Sequence, residues 1–113
     1  MKKDWIKLEE FILEYIKELD SYAKRCPGSG NKGRKGDLAT NCGLAIECKD
    51  NQCLKNAYKE TDMQKIIEEV PLHSKDIPIL ITRNKDKKIR VHLEWEDFWE
   101  LYSELIHYRN GDI

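Results

Sequence analysis

The chain has 113 residues, enough for one domain around one core and too few for two. With 40% hydrophobic and 36% charged residues it reads as a soluble globular domain, not a disordered chain, and a formal net charge of -1 does not announce a nucleic-acid binder. No apolar stretch approaches the roughly 20 residues of a membrane helix. The opening "MKKDWIKLEEFILEY" carries acids through its apolar part, which argues against a signal peptide. Cys26, Cys42, Cys48 and Cys53 do not match a paired CxxC zinc pattern and read as free thiols of a reducing cytoplasm.

The first element, "DWIKLEEFILEYIKEL", places Trp5, Leu8, Ile12, Tyr15, Ile16 and Leu19 at helical spacing, with Asp4 as its cap. A short strand, "SYAKRC", is expected next. "PGSGNKGRKG", with four glycines and one proline, is a loop by composition. From Lys24 to Lys35 the chain carries Lys24, Arg25, Lys32, Arg34 and Lys35 and no acid. "DLAT", "NCG" and "LAIECK" then form a hairpin, Asn41 and Gly43 suiting its tight connection. "YKETDMQKIIEEV" is a second helix with Met63, Ile66, Ile67 and Val70 inward, ended by Pro71. "IPILIT" is a buried strand and "NKDKK" a turn. "IRVHL" alternates, with Ile89, Val91 and Leu93 on one face and Arg90 and His92 on the other. "EWEDFWELYSELIHY" is a last helix whose Trp95, Phe98, Trp99, Tyr102, Leu105 and Ile106 recur at helical spacing, fitting core or a subunit interface. His73, His92 and His107 are scattered and form neither an HNH arrangement nor a Cys/His dyad, so they read as structural or surface residues. There is no internal repeat, and one domain spans residues 1–113.

The question lies in the hairpin. Side chains of a strand alternate between faces, so Leu44, Ile46 and Cys48 share one face, and Ala45, Glu47 and Lys49 the other. On spacing alone, Glu47 and Lys49 describe the solvated face of an edge strand. If the turn is Asn41, Cys42 and Gly43, however, Asp37 falls across from Glu47, and Cβ atoms of opposed residues are about 4.5–5.5 Å apart. Two carboxylates so placed destabilise a sheet unless something compensates. A divalent cation, which takes carboxylate oxygens from several chain positions, would do so.

Asp37, Glu47 and Lys49, as "GD" and "ECK" after a basic Gly-rich loop, resemble the PD-(D/E)xK nuclease superfamily, with Gly36 in place of its proline. "PGSGNKGRKGDLA" followed by "IECK", and the downstream "MQKIIEEV" and "IPILITR", are more particularly similar to Holliday junction resolvase-type members of archaea, phages and bacteria. The resemblance runs from about Glu9 to about Leu101. It implies a restriction-endonuclease-like α/β fold: a mixed central sheet of four or five strands flanked by helices in an αβββαβ-type core, with an extra C-terminal helix here. It also implies a metal-dependent endodeoxyribonuclease acting on branched DNA, working as a homodimer in the cytoplasm of a bacterial, archaeal or phage-infected cell. A nicking or restriction-like nuclease without junction specificity, and a non-catalytic DNA-binding module of the same fold, stand as alternatives.

Residue by residue, the resemblance gives Asp37 and Glu47 as ligands of Mg²⁺ or Mn²⁺, joined by a backbone carbonyl of Ile46 or, preferably, Cys48. Lys49 would orient the attacking water or stabilise charge at the phosphate. A first-helix acid is expected at the site; of Glu9, Glu10, Glu14 and Glu18, Glu10 is favoured, then Glu14. Gln64 fits a glutamine on the helix after ExK, although Thr61 and Gln64 also make a capping box. Ser29 matches a phosphate-contacting position. Asn31, Lys32, Arg34 and Lys35 would complete the DNA grip, with the turn lysines Lys85, Lys87 and Lys88 adding positive charge locally.

Overall fold

Strand alternation and helical periodicity sort the apolar residues onto the two faces of one sheet. The computed structural model describes residues 7–26, 37–70 and 74–111. In chain order these form α1 (Leu8–Lys17), β1 (Lys24–Arg25), β2 (Leu38–Ala39), β3 (Leu44–Asp50), α2 (Glu60–Glu69), β4 (Ile77–Arg83), β5 (Ile89–His92) and α3 (Trp95–Arg109). The strands lie in the order β1-β2-β3-β4-β5. β3 and β4 run parallel, joined through α2, and every other neighbouring pair is antiparallel. The architecture is therefore α/β, with a mixed five-stranded sheet and three helices, and its order begins αβββαβ as expected.

The β2–β3 hairpin has the expected register. Leu38 pairs with Ile46 and Ala39 with Ala45. The turn closes at Gly43, whose φ of 90° favours glycine, and the Thr40 hydroxyl accepts the Leu44 N–H at 2.9 Å. Alternation then sends Leu44, Ile46 and Cys48 toward α1, where they pack with Leu8, Ile12, Leu13, Ile77, Ile79 and Ile81. Ala45 goes the other way, to Met63, Ile66 and Leu80 beneath α2. Leu38, Ile46, Ile66 and Leu80 are fully buried, each stabilising the fold by about 1.5–3 kcal/mol through removal from water.

Several local expectations need correction. Asp4 and Pro71 lie outside the described residues; Lys7, not Asp4, is the N-cap residue of α1, whereas α2 does end, at Glu69, just ahead of Pro71. That helix ends at Lys17, so Leu19 sits in the following turn and is 96% exposed instead of packed. "SYAKRC" contributes only the two-residue strand β1. The Thr61–Gln64 capping box does not form: α2 starts at Glu60 after Lys59, and Gln64 donates to Glu60 Oε2 at 2.9 Å. No residue of α3 is buried, so its aromatic residues are not core. Among the described residues, no helix is long and apolar enough to cross a membrane.

Candidate active site

Asp37 stands where the β2–β3 ladder ends, and three hydrogen bonds fix it. Its N–H donates to the Ile46 carbonyl (2.7 Å), and its carbonyl accepts the Cys26 N–H (2.8 Å). Its Oδ2 accepts the Cys48 N–H (2.9 Å). The carboxylate thus serves as an acceptor for a β3 amide and feels charges from both helices that pack on the sheet. Glu9 of α1 acts on it from one side, and Lys49 and Lys65 from the other.

Glu47 is held by β3 on the α2 face and is only 5% exposed. Lys49 Nζ lies 3.6 Å from its Oε2, and Lys65 Nζ, from α2, 4.0 Å from the same oxygen. Lys65 also reaches Glu69 Oε2 at 4.0 Å. Burial pushes the Glu47 carboxyl above its ordinary range, and the Asp37 charge pushes further, against the pull of Lys65 and Lys49. Burial likewise raises Asp37, offset in part by the Cys48 N–H. The Cys48 thiol, turned to the opposite face and half-buried, is pushed far above the ordinary thiol value by burial, so it is no thiolate nucleophile.

No family model, curated protein or solved structure matches the chain. The arrangement is therefore read from its own chemistry.

Of the residues anticipated for a site, the structure brings Asp37, Glu47 and Lys49 together. It does not bring Glu10 or Gln64 to them. The α1 acid whose charge reaches Asp37 is Glu9, and Glu9 is itself ion-paired with Arg25. Glu9 could have been found in the sequence: it falls within the helical arc of Leu8, Ile12 and Leu13, whereas Glu10 is turned a further 100° away. Gln64 is exposed and engaged with Glu60, and its neighbour Lys65 takes the place expected for it. Met63 and Ile66 point into the core, so Gln64 and Lys65 lie on opposite flanks of α2, and the placement of the helix decides which flank meets β3. Ser29, Asn31, Lys32, Arg34 and Lys35 lie outside the described residues. His92 has a structural role, its Nε2 2.9 Å from Thr82 Oγ1 and its ring against Tyr58.

Among the described residues, no three His, Cys, Asp or Glu side chains converge as a ready-made metal cluster. A buried carboxylate, Glu47, and a half-buried one, Asp37, that repel each other nonetheless suit Mg²⁺, which is commonly held by one or two carboxylates and keeps several waters. In the absence of divalent ions the strain has a pH signature. Both carboxyls are raised in the folded state, so they favour folding below the ordinary carboxylate range and lose that contribution as the pH rises through the raised values. The melting temperature of Glu47→Gln, which cannot ionise, should accordingly gain on wild type as the pH rises above the ordinary carboxylate range. A difference independent of pH in EDTA-treated protein would contradict this.

Proposed function

We propose that the chain is a metal-dependent endodeoxyribonuclease with a restriction-endonuclease-like fold, hydrolysing phosphodiester bonds in branched DNA as a Holliday junction resolvase does. The observation that carries the reading is the convergence of Asp37, Glu47 and Lys49 at the end of the β2–β3 ladder, in the order and register that the sequence resemblance requires. Asp37 and Glu47, with the Cys48 carbonyl, would hold Mg²⁺ or Mn²⁺. The ion, when bound, polarises the scissile phosphate and lowers the pKa of a water. Lys49 orients that water or meets charge on the phosphate, and Lys65 adds a second ammonium on the same side. In this proposal the acid of α1 is Glu9, and Gln64 has no role in the chemistry.

The distribution of cations supports a DNA strand reaching this end of the sheet. Asp50 and Arg83 are paired at the ends of the parallel β3 and β4, so the turn with Lys85, Lys87 and Lys88 leaves the sheet just beyond Lys49. The basic loop precedes Asp37 directly in sequence. Replacing Lys32, Arg34 and Lys35 by Ala should lower the slope of log affinity against log salt by about 2–3, the amount expected for losing three phosphate contacts. An unchanged slope would remove the loop from the interface.

The two lysines beside Glu47 favour a second reading, in which they compensate the carboxylate without metal and the chain is a non-catalytic DNA-binding module. Titration with Mn²⁺ separates the two. Saturable binding by wild type, weakened at least about tenfold in Asp37→Asn and in Glu47→Gln, is expected of the nuclease. Binding unaffected by either change, or no binding, supports the module.

A further inference from the structure

The acid of α1 nearest the carboxylate pair is already engaged. Arg25 Nη2 donates to Glu9 Oε1, and this ion pair ties the start of α1 to the edge strand β1. The register explains why the two meet. Arg25 pairs with Leu38, and Leu38 with Ile46. Cross-strand partners share a face, so Arg25 belongs to the row beneath α1 in which Leu38 and Ile46 are core. Glu9, in the first turn of α1, meets it there. The next residue of the chain, Cys26, donates its N–H to the Asp37 carbonyl, which sets the pair beside the candidate site.

Glu9 has a second claim on it. Its charge raises both the Asp37 carboxyl and the Cys48 thiol. A cavity of about 190 Å³ beside it, lined by Lys7, Leu8, Glu9, Cys48 and Asp50, leaves its side chain room to turn. Yet among the described residues no three acids converge on one point. Arg25 occupies the oxygen that a third ligand would offer. The Arg25 side chain is 50% exposed and opens the acid-free run that continues to Lys35. Its guanidinium fork suits a phosphate as well as a carboxylate.

We propose that the Arg25–Glu9 ion pair is an autoinhibitory latch: it withholds Glu9 from a cation at Asp37 and Glu47, and a DNA phosphate that draws Arg25 away releases it. The latch rests on the nuclease reading and adds that DNA and divalent cation bind cooperatively. A freed Glu9 raises the carboxylate count of the site and with it the affinity for a hard cation. Each ligand removes the partner that holds back the other, and the coupling is equal in both directions.

Mn²⁺ binding to DNA-free protein, followed by electron paramagnetic resonance, tests the metal side. Arg25→Met should tighten Mn²⁺ about threefold to fivefold, the scale of a partly exposed ion pair, and the gain should vanish when Glu9→Gln is already present. Junction binding in EDTA, followed by fluorescence anisotropy, tests the DNA side. Glu9→Gln should tighten it by a similar factor, and Glu10→Gln, the same charge change one residue along, should not. An unchanged Mn²⁺ affinity in Arg25→Met, or a gain equal with and without Glu9, overturns the latch; loss of Mn²⁺ binding in Glu47→Gln would show that the nuclease reading survives it. No Mn²⁺ binding by wild type or Arg25→Met overturns both. Should Arg25→Met fail to fold, the DNA side decides: equal junction affinities for Glu9→Gln and Glu10→Gln overturn the latch.

Discussion

Glu47→Gln is expected to lower metal-dependent DNA cleavage by at least about 100-fold while leaving DNA affinity intact. The substitution keeps the volume of a side chain that is 5% exposed, so the packing beneath α2 is preserved. It removes the charge that, with Asp37, would hold the cation. It also relieves the repulsion on Asp37, and it leaves Lys49 and Lys65 without the negative charge they approach at 3.6 and 4.0 Å. The protein should therefore fold at least as well as wild type, bind DNA at least as tightly, and fail in the chemical step. Single-turnover cleavage and a binding titration on the same preparations separate these effects. Glu68→Gln, an exposed change on α2, is the control and should cleave normally. A Glu47→Gln protein that cleaves at the wild-type rate would remove the carboxylate pair from the mechanism.

Asp50→Ala should destabilise the domain by about 3 kcal/mol, a large part of the total stability of a small domain. Arg83 is 5% exposed, and it donates from Nε to Asp50 Oδ1 at 3.1 Å and from Nη2 to Oδ2 at 2.5 Å. This fork ties the ends of β3 and β4 together. Removing the carboxylate leaves a guanidinium out of water without its main counter-charge, and that accounts for most of the cost. Removing both charges should hurt less, so Asp50→Ala with Arg83→Met is expected to recover much of the loss. Urea denaturation measures both variants. A loss below about 1 kcal/mol for Asp50→Ala, within the range of an exposed ion pair, would show that the pair contributes little. A double variant no more stable than the single would show that packing of Arg83, not its charge, is what counts.

The sequence was most informative where short-range rules act alone. Turn chemistry at Asn41 and Gly43 set the hairpin register, and the period of two in β3 set the face of Glu47 and Lys49. Together these anticipated the closeness of Asp37 and Glu47. The uninterrupted apolar run from Ile77 to Ile81 similarly marked a buried strand. What was missed depends on how elements are placed against each other. Lys65 reaches Glu47 only because α2 lies over β3 on one particular flank. Arg83 finds Asp50 through the parallel pairing of strands separated by a helix. Glu9 was a different kind of miss, since its place on the α1 wheel was visible. The exposed face of α3 was invisible in principle: an apolar stripe at helical spacing says that a helix is covered, not whether by its own chain.

The most direct test of the central claim is cleavage of a labelled four-way junction beside a linear duplex of matched sequence, with Mg²⁺ or with EDTA. The proposal predicts paired, symmetric nicks in the junction, little cutting of the duplex, and none of either in EDTA. Equal cutting of both substrates would keep the nuclease and contradict the junction preference. A junction left uncut in Mg²⁺ and in Mn²⁺ by folded protein would contradict the assignment of Asp37, Glu47 and Lys49 as a catalytic site.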